Sequence, residues 1–126
     1  MSSPADRLYS ATHEWHQVQG DTVTLGITTF AVTQLTDVTY LTLKPKGTKL
    51  RPGQSIGEVE SVKTTSDIYS AVEGEVIDVN QAAVDNPALL NGDAFATWLV
   101  KIKVTNNAGL SSLMKADAYD AAHPSH

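Results

Sequence analysis

Residues 57–76, "GEVESVKTTSDIYSAVEGEV", decide the fold of this chain. They hold a single lysine, Lys63, and no arginine, among the carboxylates of Glu58, Glu60, Asp67, Glu73 and Glu75. The run "SIGEVESV" leads in and "SDIYSAVEGEV" leads out, with Lys63, Thr64 and Thr65 between them. Two strand-like runs so close together predict a hairpin. Their alternation is imperfect, which predicts a bulge or a tight tip. A lysine at a hairpin tip projects from the fold on a flexible stem, and its amine is a nucleophile once deprotonated, so a modifying enzyme can reach it. Charge pattern leaves a second reading open: a surface lysine in weak pairs with Glu60 or Asp67, each worth about 0–1 kcal/mol.

Outward from the hairpin, "TVTLGIT" alternates Val23, Leu25 and Ile27 against Thr22, Thr24 and Gly26, the pattern of a half-buried strand. "DVTYLTLK" is a β-branched and aromatic run that ends at Pro45. In "TWLVKIKV", Trp98, Val100, Ile102 and Val104 face one way and Lys101 and Lys103 the other. "TTFAVTQL" predicts a short helix with Thr28 or Thr29 as its cap. Turn signals fall at Gln19-Gly20-Asp21, Pro45-Lys46-Gly47, Pro52-Gly53, Glu73-Gly74 and Asn86-Pro87. "NPALLNG" reads as one helical turn, with Pro87 first and Gly92 after it. Leu110, Leu113 and Met114 predict a short amphipathic helix that Pro124 stops. Short strands at this spacing imply an all-β sandwich or barrel.

A length of 126 residues predicts one domain. Hydrophobic content of 41% and charged content of 18% exclude a disordered or a membrane profile, and no apolar run is long enough to span a bilayer. "MSSPADRLYS" has no basic region followed by an apolar one, so no secretory signal is read there. A net charge of −5 argues against nucleic acid as a partner. With 0 cysteines there is no disulfide framework and no thiolate metal site, and any redox chemistry must come from an attached group. "HEWH" (His13 to His16) lacks the i, i+4 spacing of a zinc helix, so no metal site is expected. Ser61, Ser66 and Ser70 have no neighbouring histidine in the sequence to act as base, so nucleophilic catalysis is not expected either. Lys44, Lys46, Lys49 and Arg51 form a local basic cluster, read as a solvated turn or as a docking patch for an acidic partner.

The segment "ESVKTTSDIYSAVEGEVIDVN" (residues 60–80) resembles the lipoyl-lysine segment of the glycine cleavage system H proteins at Glu60, Ser61, Lys63, Ser66, Asp67, Tyr69, Gly74, Val76 and Asn80. "HEW" at His13 to Trp15, "GIT" at Gly26 to Thr28, "NPALLN", "WLVKI" and the late "ADAY" at Ala116 to Tyr119 resemble the same family in the same order. The resemblance covers nearly the whole chain. It implies a mostly β fold: a lipoyl/biotinyl-type barrel-sandwich hybrid of two small antiparallel sheets, with short helices near 29–35 and 110–122. It implies a single lipoyl-carrier domain over 1–126, with flexible ends at 1–7 and 123–126. Lys63 is the implied attachment point for covalent lipoate, within the lipoylation motif of Glu60, Ser61, Ser66 and Asp67. Val62 and Thr64 stand where biotinyl domains usually place methionines, which favours lipoate.

The resemblance further implies a non-catalytic carrier of the glycine cleavage system. A pyridoxal-phosphate decarboxylase (the P protein) would load an aminomethyl group onto the lipoyl arm. The T protein would pass the one-carbon unit to tetrahydrofolate, and the L protein, a dihydrolipoamide dehydrogenase, would reoxidise the arm. A lipoyl-transfer enzyme completes the partners. Residues matching Thr12, Glu14 and Asp67 would line a cleft for the loaded arm, where carboxylates would hold a cationic amine. A monomer in a bacterial-type cytoplasm is expected, a mature mitochondrial form being the alternative. The chain departs from the family pattern at Thr29-Phe30, where Asp-Tyr is usual, and at Thr36, where glycine is usual. It departs again in "NGDAFATW" before Leu99, a loop one residue shorter than usual. Two other functions stay open at this point: an H-like carrier or lipoate relay for another pathway, and an unmodified β-sandwich binding module.

Overall fold

The structure, a computed structural model, describes residues 4–122. It contains strands β1 (Leu8–Tyr9), β2 (Glu14–Gln19), β3 (Thr22–Ile27), β4 (Val38–Leu43), β5 (Lys49–Leu50), β6 (Ser55–Ser61), β7 (Thr65–Tyr69), β8 (Glu73–Val79) and β9 (Val100–Asn106). Helices α1 (Thr29–Leu35), α2 (Gln81–Asp85), α3 (Ala88–Gly92) and α4 (Ala116–Ala122) and a 3-10 turn (Ala108–Ser112) complete it. One sheet has six strands in the order β1-β2-β3-β9-β8-β5, and the other has three in the order β4-β6-β7. All pairs are antiparallel. This is the expected sandwich of two small antiparallel sheets.

The inward side chains of both sheets make the main core. Val23, Leu25, Val76, Val100 and Ile102 of the larger sheet meet Leu41, Ile56, Val59 and Ile68 of the smaller one. Strand β3 differs from its half-buried pattern, because Thr24 and Gly26 are buried as well as Val23, Leu25 and Ile27. A second cluster of Tyr9, Trp15 and Tyr119, with Phe30, Phe95, Trp98 and Met114 against it, is the reason. Trp15 pairs with Gly26 across β2 and β3, and a Cβ on Gly26 would sit 2.5 Å from the indole. Each buried ring removes on the order of 150–250 Å² from water, roughly 4–6 kcal/mol of gross stabilisation.

The local expectations meet the structure unevenly. α1 begins where expected, its cap being Thr28, whose Oγ1 accepts the Ala31 N–H at 3.2 Å. The expected C-terminal helix is two pieces. Met114 leaves the helical path to pair with Tyr9 (N–H to O, 2.7 Å, and back, 2.8 Å), so the 3-10 turn and α4 flank a short extended link. Glu73 and Gly74 belong to β8, and the corner lies before them at Ser70–Val72. Trp98 precedes its strand, and Gly92 lies inside α3. Helix α2 carries no strong periodic signal and was not expected. Of the expected flexible ends, 1–3 and 123–126 lie outside the described residues, but Arg7 is held: its guanidinium stacks 4.2 Å from the Trp15 ring and bonds the Phe95 carbonyl at 2.5 Å.

Thr36 ends α1 at φ 67 and ψ −125, a backbone conformation that β-branched residues rarely adopt. Its strain is on the order of 1–3 kcal/mol. Thr36→Gly is expected to stabilise the protein by about 1 kcal/mol, part of the relief being offset by the greater freedom of glycine when unfolded. Urea unfolding measures this, and a less stable variant would refute the strain.

His16 is 0% exposed, and burial pushes its pKa from 6.5 down to about 4, partly offset by the Glu14 backbone. The unfolded chain therefore takes up this proton first. The contribution of a neutral His16 is intact above pH 6.5 and is lost as pH falls from 6.5 toward 4. Compared with His16→Gln, which does not titrate there, the wild type should lose up to about 3 kcal/mol across that window. Parallel stability profiles for the two proteins would refute it.

Candidate functional site

The hairpin tip is built by one side chain. Ser61 Oγ accepts the N–H groups of Lys63 (3.1 Å) and Thr64 (3.0 Å) and donates to the Thr64 carbonyl at 3.2 Å. The Ser61 N–H bonds the same carbonyl at 2.8 Å, so β6 turns into β7 within Val62, Lys63 and Thr64. Such serine-to-backbone bonds fix a turn without needing glycine. The expected bulge is real but lies at the other end of the hairpin, between Ser55 and Gly57. Val62, Lys63 and Thr64 are exposed. Neither Glu60 nor Asp67 pairs with Lys63 among the described residues, so the ammonium stands clear of the fold. Glu60 faces Tyr40 and Thr65 across the strands, Asp67 faces Glu58, and Ser66 faces Val59.

A cleft of about 320 Å³ opens beyond the far end of β7. The turn Ser10 to Glu14 forms one side, and Pro52-Gly53, Tyr69 to Ala71, Gly109 and Ser112-Leu113 form the rest. Glu14 is its charged group and is 1% exposed. Ser10 and Thr12 hydroxyls each donate to Oε1 at 2.5 Å, and the Tyr69 N–H donates to Oε2 at 3.2 Å. Burial raises the Glu14 pKa, and the bonds from Ser10, Thr12 and Tyr69 oppose the shift.

The turn that presents Thr12 and Glu14 is fastened from the C-terminal side. His13 takes a left-handed φ of 74. Its Nδ1 meets the Tyr119 hydroxyl at 2.8 Å, and that hydroxyl meets Thr28 Oγ1 at 2.7 Å. The His13 ring also packs on Phe30, centroids 4.7 Å apart. Helix α4 therefore locks the cleft's first wall.

Of the residues the sequence singled out, Thr12 and Glu14 come together in the cleft. Asp67 is exposed outside its lining and connects to it through Tyr69, whose hydroxyl donates to Asp67 Oδ2 at 3.3 Å. Lys63 is at the tip, separated from the cleft by β7, which spans about 13 Å. Sequence reasoning missed Ser10, the Tyr69 N–H and the wall at Gly109 to Leu113. Ser10 was within reach, since "SATHEW" places two hydroxyls just ahead of the carboxylate. The wall is contributed from another part of the chain and has no local signature. Among the described residues no group of side chains could hold a metal ion. The loop Asp93 to Thr97, where the chain departs from the family pattern, is not loose. Asp93 Oδ1 accepts the Phe95 and Ala96 N–H groups, Thr97 Oγ1 donates to the Leu89 and Asp93 carbonyls, and the Trp15 indole donates to the Ala94 carbonyl at 3.2 Å.

A long-stemmed amine at a capped tip and a cleft with a buried carboxylate at its floor are the two features this geometry provides. Comparison with known proteins supplies the family. The family model described as glycine cleavage H-protein matches residues 7–125. The chain is 48% identical over 117 residues to the glycine cleavage system H protein of Burkholderia cenocepacia (strain HI2424), covering 92% of this chain and 93% of that one. Against the glycine cleavage system H protein of Methylacidiphilum infernorum (isolate V4) it is 44% identical over 120 residues, 94% of each chain. A crystal structure of a glycine cleavage system H protein from Mycobacterium marinum matches with a TM-score of 0.87 at 38% identity, over 95% of this chain and 98% of that one. Sequence and fold agree, and the chain belongs to the glycine cleavage H-protein family.

Proposed function

We propose that Lys63 carries lipoate in amide linkage and that the cleft at Glu14 receives the far end of the arm. As a member of its family the chain is a lipoyl carrier of the glycine cleavage system and performs no catalytic step itself. The observation that carries the Lys63 assignment is the tip: a lysine whose backbone Ser61 fixes while its ammonium has no ion-pair partner among the described residues. Bound lipoate would supply a strained disulfide that opens and closes by thiol–disulfide exchange, chemistry that a chain with 0 cysteines lacks.

The rest is done by the chain's own residues. Ser61 presents Lys63 away from the sheet. Ser10 and Thr12 hold the Glu14 carboxylate in one orientation, so a cationic amine entering the cleft meets an acceptor already placed. Ala11, Pro52 and Leu113 offer apolar surface to a hydrocarbon arm. Asp67, outside the lining and bonded to Tyr69, adds negative charge near the route between tip and cleft. Tethering keeps the cargo at high effective concentration for each partner in turn. The partners this role entails are the P protein, the T protein, the L protein and a lipoyl-transfer enzyme. The bacterial sources of the relatives support a cytoplasmic setting. No helix among the described residues is long and apolar enough to cross a membrane.

Co-expression with a lipoyl-transfer enzyme should add one lipoyl group, mapped by peptide mass to Lys63. Lys63→Arg should fold with stability within about 0.5 kcal/mol of wild type, since the Lys63 side chain is exposed, yet accept no lipoate and support no glycine cleavage when reconstituted with the P, T and L proteins. Modification at Lys44 or Lys101 would overturn the assignment.

Glu14→Ala should shorten the retention of the amine cargo about ten- to a hundredfold, the loss of a charge-assisted bond of about 1.5–3 kcal/mol. Asp67→Ala, altering an exposed group outside the lining, should have a smaller effect. Reduction of the empty arm by the L protein should hardly change in either. Ammonia release in the absence of T protein is the measurement, and an unchanged rate in Glu14→Ala would remove the cleft from the function.

A further inference from the structure

Two side chains of β2 hold the corner that follows β7. Glu14 Oε2 accepts the N–H of Tyr69 at 3.2 Å, and His16 Nε2 accepts the N–H of Ala71 at 3.2 Å. Between them Ser70 is 0% exposed, its hydroxyl accepting the Val72 N–H at 3.1 Å and donating to the Val72 carbonyl at 2.9 Å. His16 is also 0% exposed, and its Nδ1 has no hydrogen-bond partner among the described residues. Because Nε2 accepts, the network assigns the ring proton to Nδ1. A buried N–H that makes no full hydrogen bond and is only partly compensated by the Glu14 backbone is unfavourable. An aliphatic residue opposite Leu25 would serve the core better, were the bond to Ala71 of no consequence.

Ala71 is also held from the other side. The 3-10 turn brings Gly109 so close that a Cβ there would lie 1.8 Å from the Ala71 carbonyl oxygen. Only glycine allows that approach without the turn moving away. Tyr69, Ser70, Ala71 and Gly109 all line the cleft. One residue of the wall is therefore fixed through its N–H by a buried imidazole and at its carbonyl by a bare backbone.

We propose that His16 and Gly109 are positioning residues: by fixing Ala71 from both sides they set the width of the cleft, and with it how firmly an amine-bearing arm is retained at Glu14. The proposal rests on the function assigned above to the cleft. Neither residue is a catalytic group, and His16 acts wholly through Ala71.

The test uses lipoylated wild type, His16→Leu, His16→Gln and Gly109→Ala. Ammonia release from the amine-loaded arm is followed without T protein. Amide hydrogen exchange at Ala71 and along β3 and β9 is followed in the unmodified proteins. His16→Leu and Gly109→Ala are each expected to speed release about tenfold, the equivalent of one neutral hydrogen bond, and to raise exchange at Ala71 while β3 and β9 keep their protection. His16→Gln, whose side-chain oxygen can accept the same N–H, should stay within about threefold of wild type. An ordinary core role would raise exchange throughout and leave release unchanged, and that outcome overturns the proposal. If His16→Leu fails to fold, wild-type release from Gly109→Ala overturns it as well. Wild-type release as fast as that of Glu14→Ala would instead remove the cleft assignment, and this proposal with it. Normal wild-type retention with unchanged release in both variants overturns this proposal alone.

Discussion

A carboxylate at 1% exposure, with no cation paired to it among the described residues, is the constraint around which this molecule is arranged. Taking Glu14 out of water is costly unless donors replace the lost hydration. Here the donors are two hydroxyls and one backbone N–H, drawn from the turn before β2 and from the end of β7. Supplying them fixes the surrounding architecture. The turn must bend sharply enough to bring Ser10 and Thr12 back onto the same oxygen, and the left-handed His13 achieves this. That conformation costs on the order of 1 kcal/mol and persists because Tyr119 and Phe30 hold the ring. The smaller sheet must likewise end where the Tyr69 N–H can reach across. Neutral donors offset part of the cost of burying the charge without cancelling it, so an ionised Glu14 gives the cleft a negative floor.

The tip and the cleft are held by opposite means. The tip depends on four hydrogen bonds around Ser61, with a longer one from the Val62 N–H to the Asp37 carbonyl, and its side chains at Val62, Lys63 and Thr64 are exposed. The cleft depends on packing from all sides, including an aromatic cluster that covers the second face of the larger sheet. β7 joins them, so the distance between Lys63 and the cleft is set by a strand rather than by a loop. A strand in a sheet holds its length, whereas a loop of equal span would let the two parts drift.

Much of this was legible in the sequence, for reasons that can be named. The hairpin around Lys63 could be read because strand-like runs flank a short polar gap, and α1 because Thr28 caps it. Glu14 stood in the "HEW" signature, and Thr12 was reached only through the family resemblance. Where the reading failed, long-range contacts had overridden local pattern. β3 alternates like a half-exposed strand, yet Trp15 covers its second face. Leu110, Leu113 and Met114 are spaced like a helix, yet Met114 pairs with Tyr9, more than a hundred residues earlier in the chain, and breaks it. The wall at Gly109 has no local mark, because what matters there is a missing Cβ against a distant carbonyl. The loop at Asp93 to Thr97 shows in the sequence only as a departure in length and letters, yet Thr97 is only 9% exposed and its hydroxyl ties the loop to α3.

The serine-capped tip also bears on how a modifying enzyme would meet Lys63. A free peptide with the sequence "ESVKTTSD" would have to give up its conformational freedom on binding, whereas in the folded protein that entropy has already been lost. An enzyme that read this lysine would therefore encounter a formed edge with Ser61, Val62 and Thr64 at set positions. Recognition then belongs to the shape of a hairpin as much as to its letters. Two chains with the same residues around the lysine, one folded and one not, would present different substrates.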